Sequence, residues 1–237
     1  MFIALGEEHF YRDVLSERPT RRWGAGTSAI VRALVAATRP SSQSDLATQA
    51  HVSQPRVSQV LASLTATGAV IAGRNGYRPD KRALIDLYVE HHQPSLAERE
   101  TYWYGLSPLR EQIDRLIAKS RSRSGALAVS ADLATDLIAP WRHPTLTVVY
   151  VNADHQLELN GMVRAEGRAD ATVILRATDD ATLLRPCDPW PNNIADVPIA
   201  DPTQQIWDLH HLGGEDRIEN ADRLRDAILD GSLVTVR

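Results

Sequence analysis

The sequence predicts an α+β protein with two parts, a mostly helical N-terminal domain over residues 1–92 and a mixed α/β domain over residues 93–237. Apolar residues recur at helical spacing through the first part, and strand-like runs join the helices in the second. The charge also changes sign, because residues 1–82 hold 11 Lys or Arg against 6 Asp or Glu, whereas residues 83–237 hold 15 against 24. A chain of 237 residues can bury two separate cores. The basic first part is the one suited to a polyanion.

Cysteine usage and hydropathy exclude several protein classes. Cys187 is the one cysteine in the sequence, so no intrachain disulfide can form and a cytoplasmic protein is predicted. The apolar run at residues 1–5 is too short for a signal-peptide core, and no later run reaches the about 20 residues that a membrane span requires. We therefore expect neither a signal peptide nor a membrane anchor.

Residues 44–64 have the spacing of two helices joined by a tight turn. Leu46 and Ala50 would face inward on the first helix. Ser53 would cap a second helix that has Pro55 in its first turn, where a missing N–H costs little. The second helix has an apolar stripe at i, i+3, i+4 and i+7 that predicts packing against the rest of the domain. That stripe consists of Val57, Val60, Leu61 and Leu64.

The opposite face of the second helix carries side chains able to contact bases and phosphates. Gln54, Arg56 and Gln59 are predicted to read base edges in the major groove of double-stranded DNA. Ser53 and Ser58 are predicted to position the helix on the duplex. The alternative is a small helical domain whose polar face is only solvated.

A β-hairpin is predicted next, with Asn75-Gly76 in the two positive-φ positions of a type I′ turn. Such a hairpin after a helix-turn-helix is the wing of a winged helix. Its polar residues are expected to contact the DNA backbone or the minor groove. These residues are Arg74, Asn75, Tyr77 and Arg78.

A small basic arm, Arg21 and Arg22 followed by Trp23, leads into the predicted helical domain. Two interpretations remain open. The arginines lie along a phosphate backbone, or Trp23 packs on the domain and the arginines are solvated.

Caps and helical spacing predict the remaining helices. Asp80 can cap one helix, Ser107-Pro108 opens another, and Asp201 can cap a third that has Pro202 at its first position and ends at Gly213-Gly214. Further helices are predicted over residues 9–17, 28–38, 130–138 and 217–229.

Strand-like alternation and turn residues predict the rest of the chain. Residues 121–124 are predicted as a loop, and residues 186–202, which contain five prolines, as a long irregular connection on the surface. The predicted strands cover residues 69–72, 146–151, 156–159 and 171–175.

Four stretches of the second half carry a resemblance to a known family: residues 84–88 with 100–104; residues 125–134 with Ala139-Pro140; residues 147–151; and residues 199–209 with Gly213-Gly214, Ala221 and Leu224-Arg225. Together with the winged helix they resemble the AbiEi-type antitoxins of bacterial abortive-infection systems, and residues 199–209 are the most specific part of that likeness. The resemblance implies a C-terminal domain related in fold to nucleotidyltransferases, and a repressor that binds the promoter of its own operon. It also implies that the protein opposes a separately encoded nucleotidyltransferase toxin. Binding to DNA as a homodimer is left open.

Catalysis is not predicted, because an active nucleotidyltransferase needs two carboxylates at alternate strand positions to hold Mg²⁺. The candidates in the sequence do not have that spacing. They are Asp170, followed by Ala171, the adjacent pair Asp179-Asp180, and Glu215-Asp216, which are expected in a loop after Gly213-Gly214. The alternative of an enzyme with divergent metal-binding carboxylates stays open.

A metal or organic cofactor is not predicted either, since the candidate ligands lack the i, i+4 spacing of a helical metal site and no phosphate-binding loop or nucleophile motif is present. Those candidates are His91-His92, His143, Cys187 and His210-His211.

Overall fold

The computed structural model describes residues 22–94, 100–122, 127–141, 143–152, 159, 161–185 and 188–233. Within these ranges the protein is mixed α+β, as the sequence predicts. Arg21, Cys187 and the helix predicted over residues 9–17 lie outside them. No helix in the described ranges is long and apolar enough to span a membrane.

From residue 22 onward, the first half contains three helices, a two-stranded hairpin and a fourth helix. The apolar stripe predicted on the third helix is buried, and Asp80 caps the fourth helix by accepting a hydrogen bond from Ala83 N. The elements are α1 (Ala25–Ala36), α2 (Gln43–Gln49), α3 (Gln54–Ala66), β1 (Val70–Gly73), β2 (Gly76–Pro79) and α4 (Lys81–His91).

The caps of α2 and α3 differ from each other. Ser42 and Asp45 form a capping box at the start of α2, in which each side chain accepts a hydrogen bond from the other's backbone N–H. Ser53 occupies the N-cap position of α3 as predicted, but its side chain makes no capping hydrogen bond. Its hydroxyl therefore remains exposed at the end of α3.

The hairpin turn is not the predicted type I′ turn. Gly73 pairs with Gly76, and of the two expected positive-φ residues only Gly76 has one, at φ +117°. The turn therefore consists of Arg74 and Asn75, neither of which has a positive φ, and Gly76 is the first residue of β2. A Cβ on Gly76 would lie 2.6 Å from Ser41 O, because Ser41 and Tyr77 exchange two backbone hydrogen bonds of 2.9 and 3.0 Å. Glycine is therefore required here, and the hairpin is anchored to the start of α2.

The second half is a five-stranded sheet with helices packed on it. The strand order is β4-β5-β7-β3-β6, in which β5 and β7 are parallel and the other neighbours are antiparallel. The elements are β3 (Glu100–Tyr104), α5 (Leu109–Ser122), β4 (Leu127–Ala131), α6 (Asp132–Ile138), β5 (Thr147–Asn152), β6 (Val163–Arg164), a 3-10 turn (Arg168–Asp170), β7 (Val173–Thr178), β8 (Asn193–Ile194), β9 (Val197–Pro198), α7 (Pro202–Leu212) and α8 (Glu215–Asp230).

Several local predictions for this half are wrong. Strands β3 and β4 were not predicted, and α5 continues through Ser122 into the expected loop. The stretch over residues 188–202 is not a purely surface connection, since β8 and β9 pair and Ile199 is buried. Ala200 N donates to Val129 O at 2.8 Å, so this stretch continues the pairing at the edge of the sheet. Only isolated residues of this proline-containing segment take part in the pairing. The sequence therefore shows no strand pattern there.

A buried ion pair joins the two halves. Arg32 in α1 donates to Asp180 at 2.7 Å and to Thr182, although the arginine lies in the middle of an apolar helix. Burial opposes the charge of Arg32, but nearby Tyr88 and Asp180 outweigh that effect and raise the pKa of Arg32. Burial alone would raise the pKa of Asp180, but Arg32 lowers it. Both groups are therefore held in the charged form inside the protein.

A second set of buried hydrogen bonds continues from this pair into the sheet. Tyr88 Oη receives a hydrogen bond from Arg32 and donates to Gln204 at 2.5 Å, and Gln204 donates to Tyr150 at 2.8 Å. Tyr150 donates to Asp208 at 2.9 Å, and Arg176 binds both. The two halves therefore share one continuous polar network.

Candidate nucleic-acid interface

The outward face of α3 is open to solvent. Gln54, Pro55, Ser58 and Gln59 are all exposed, whereas the opposite stripe of the helix is buried against the rest of the first half. The helix packs on α1, α2 and β1. The described part of the second half therefore leaves these residues of α3 uncovered.

Arg56 differs from its neighbours on α3. It is partly buried, and its Nη2 donates to Thr27 Oγ1 of α1 at 2.7 Å. The guanidinium lies in a groove of about 390 Å³ between α1 and α3, which Arg22 also lines. The structure thus places this side chain on the flank of α3.

The basic arm has one packed residue and one exposed residue. Trp23 N donates to His91 O at 3.0 Å, and the Trp23 ring lies 5.3 Å from the His91 ring and 6.4 Å from that of Tyr88. Trp23 therefore packs on the fold, as one of the two sequence interpretations expected. Arg22 is exposed beside it.

The hairpin presents three of its four predicted residues to solvent. Arg74, Asn75 and Arg78 are exposed, but Tyr77 is partly buried and its hydroxyl accepts a hydrogen bond of 2.9 Å from Gln43 in α2. Tyr77 therefore connects the hairpin to α2.

Ile71 is 64 % exposed and was not among the residues predicted from the sequence. It pairs across the strands with Arg78 and shares its face of the hairpin. The signal that could have found it is the presence of an isoleucine in a two-stranded hairpin, because one face of such a hairpin must meet solvent.

The charged side chains among the described residues that line the two grooves of this surface are all positive. No acidic residue is among the described residues that line the α1–α3 groove or the second groove, of about 270 Å³, beneath the hairpin. Four arginines border these two grooves: Arg22, Arg56, Arg74 and Arg78. Such a surface can bind a polyanion.

The candidate enzyme and metal residues lie apart from one another. Asp170 is exposed on the 3-10 turn, Asp179 is exposed at the end of β7, and Asp180 is paired with Arg32. The expected loop after Gly213-Gly214 is instead the first turn of α8. Within the described ranges no three His, Cys, Asp or Glu side chains converge as metal ligands would.

One histidine of each adjacent pair stacks on an aromatic ring. His92 is buried, shares a hydrogen bond of 2.8 Å with Ser28 Oγ and stacks on the Tyr88 ring at 4.6 Å. His211 stacks on the Trp207 ring at 4.6 Å. Burial, together with nearby Arg32, lowers the pKa of His92 to about 3, so the ring is neutral at physiological pH.

Neither a protein-family model nor a curated protein matches this chain. Its function is therefore inferred from the geometry and charge of the surface formed by α3 and the β1–β2 hairpin.

Proposed function

We propose that this protein is a sequence-specific DNA-binding transcriptional regulator whose first half is a winged helix-turn-helix. The observation that carries the proposal is the exposed polar face of α3, which lies beside a basic hairpin and is left uncovered by the second half. An α-helix fits the major groove, and its exposed glutamines and serine offer the donors and acceptors that base edges recognise.

The arrangement of α2 and α3 supports this assignment. The turn between them contains His51 at φ +51°, and Val52 closes the turn with a backbone hydrogen bond of 3.0 Å to Ala47 O. The packed α2 and the Tyr77–Gln43 contact fix the hairpin relative to α3. A duplex that receives α3 in its major groove would therefore meet Arg74 and Arg78 at a defined neighbouring position.

The charge distribution supports a division of labour between the halves. Residues 83–237 carry nine more acidic than basic residues, so DNA is repelled from the second half, which is left to contact another protein. The resemblance to AbiEi-type antitoxins extends the proposal to an autorepressor that opposes a cognate toxin. In this proposal the protein binds its partners and is not an enzyme.

To test the proposal, duplexes that bind the full-length protein are selected from a random library. The affinity of the protein is then measured for a selected duplex and for a scrambled one. We expect the selected duplex to bind at least about 10³-fold more tightly. Gln59→Ala should weaken the selected duplex by about 1–3 kcal/mol and relax the preference at one base pair. Arg78→Ala should weaken both duplexes alike.

Asp86→Ala is a matched control, because Asp86 is an exposed residue of α4 whose ion pair with Arg225 of α8 is 3.6 Å long. It should leave both affinities near those of the wild type. Selection that returns no common sequence, with equal binding of every duplex, would contradict the proposed function.

A further inference from the structure

We propose that Arg56 contacts the phosphate backbone of the bound duplex from the flank of α3 and does not read a base. This inference rests on the proposed function and replaces the base-reading role that the sequence predicts for this residue. The base edges are then left to Gln59 and the exposed residues beside it.

The position of Arg56 around the helix is the first reason. Successive residues of an α-helix are rotated by about 100°, so the direction opposite the buried stripe is fixed. Gln59 lies about 30° from that outward direction, whereas Arg56 lies about 90° from it, on the side toward α1. A helix inserted into the major groove turns its outward face to the base pairs and its flanks to the two backbones.

The hydrogen bond to Thr27 is the second reason. It holds the Arg56 guanidinium toward α1, away from the position that a base edge would occupy beyond Gln59. Thr27 is buried at the start of α1. Its hydroxyl is therefore a rigid anchor that selects one orientation of the arginine.

The chemistry of the groove is the third reason. A guanidinium has five N–H donors, so one bond to Thr27 leaves the others for an anion. Arg22 lines the same groove, and Gln59 and Ser63 complete its α3 side without an acidic residue among its described lining residues. Two arginines on one groove suit the successive negative charges of a phosphate backbone, whereas a guanine edge is read by a single bidentate arginine.

The experiment measures the affinity of wild type, Arg56→Ala, Arg56→Lys and Gln59→Ala for the selected and the scrambled duplex over a series of salt concentrations. We expect Arg56→Ala to weaken both duplexes by the same factor, about tenfold, and to reduce the slope of log K against log salt by about 1. Arg56→Lys should restore the slope, because a lysine keeps the charge that displaces a counterion. Duplexes with single base substitutions should keep their rank order with all Arg56 variants and lose it at one position with Gln59→Ala.

Arg82→Ala is the matched control for the loss of one positive charge, since Arg82 is exposed on α4 and faces Asp226 of α8 at 3.7 Å. It should leave the slope unchanged. Thr27→Val removes only the anchoring hydroxyl, and we expect both duplexes to bind about threefold more weakly with the base preference intact.

The inference is overturned if Arg56→Ala abolishes discrimination at one base pair while the scrambled duplex binds as before. It is also overturned if Arg56→Lys fails to restore the slope. The first result requires a wild-type protein that prefers the selected duplex, and the second concerns only the role of Arg56, so both leave the proposed function standing. Absence of that preference contradicts the proposed function itself.

Discussion

His92 shows how burial at one residue links stability to pH. The ring lies between Tyr88 and Trp207, and the positive charges of Arg32 and Arg176 add to the cost of protonating it. Its pKa of about 3 lies below the ordinary value of 6.5. An unfolded chain therefore binds a proton at this residue over a pH range in which the folded protein does not.

We expect the free energy of unfolding to carry a His92 contribution that is fully present above pH 6.5 and is lost as the pH falls toward 3. Over that range the free energy of unfolding should fall by up to about 1.4 kcal/mol for each pH unit. Urea denaturation of wild type and His92→Asn at a series of pH values measures it, because the carboxylates titrate in both proteins and cancel in the difference.

His51→Asn serves as the control for this experiment. His51 is exposed, and asparagine tolerates its φ of +51°. Its stability curve should run parallel to that of the wild type. A His92→Asn curve that also runs parallel to the wild type would contradict the buried, neutral state of His92.

At the scale of elements, the two helices of the helix-turn-helix depend differently on their first residues. The capping box at Ser42 satisfies backbone donors of α2, a helix of only seven residues. The side chain of Ser53 satisfies none on α3, which has 13 residues and four buried apolar side chains. The shorter helix therefore relies on its cap, and the longer one on packing.

Ser42→Ala is expected to lower the free energy of unfolding by about 1 kcal/mol, because a donor of α2 loses its partner. Ser53→Ala, the same chemical change at the next helix, should cost no more than a few tenths of a kcal/mol. Urea denaturation of the two variants at neutral pH decides between them. Equal losses would show that the α2 capping box contributes nothing specific.

At the scale of the whole molecule, the Arg32–Asp180 pair connects α1 of the first half to the turn after β7. The side chains are 1 % and 8 % exposed, so neither charge is solvated if the other is removed. The network that continues through Tyr88 and Gln204 reaches the core of the sheet. The two halves are therefore expected to unfold together.

Asp180→Ala should lower the free energy of unfolding by about 3–5 kcal/mol, because it removes the carboxylate that is hydrogen-bonded to the buried Arg32 guanidinium. Asp179→Ala removes the neighbouring carboxylate, which is exposed, and should change stability by less than about 0.5 kcal/mol. Calorimetry of both variants tests this expectation. Similar melting temperatures for the two variants would refute a structural role of the buried pair.

Sequence alone determined the features that depend on neighbouring residues. The apolar stripe of α3 and the caps at Asp80 and Asp201 follow from side chains within a few positions of one another. The exposed polar face of α3 followed from the same periodicity, which is why most of the candidate interface could be predicted. These signals are local, so the remainder of the chain does not alter them.

Only the tertiary structure decided the features that depend on distant partners. Strand β3 forms because it pairs with β7, across a separation of 76 residues at Glu100 and Arg176. An arginine in the apolar helix α1 acquires its role from Asp180, 148 residues away, and Arg56 is oriented by Thr27 of another helix. The free energy of such contacts comes from burial and charge pairing between segments that no local pattern relates, and it is available only once the chain has folded.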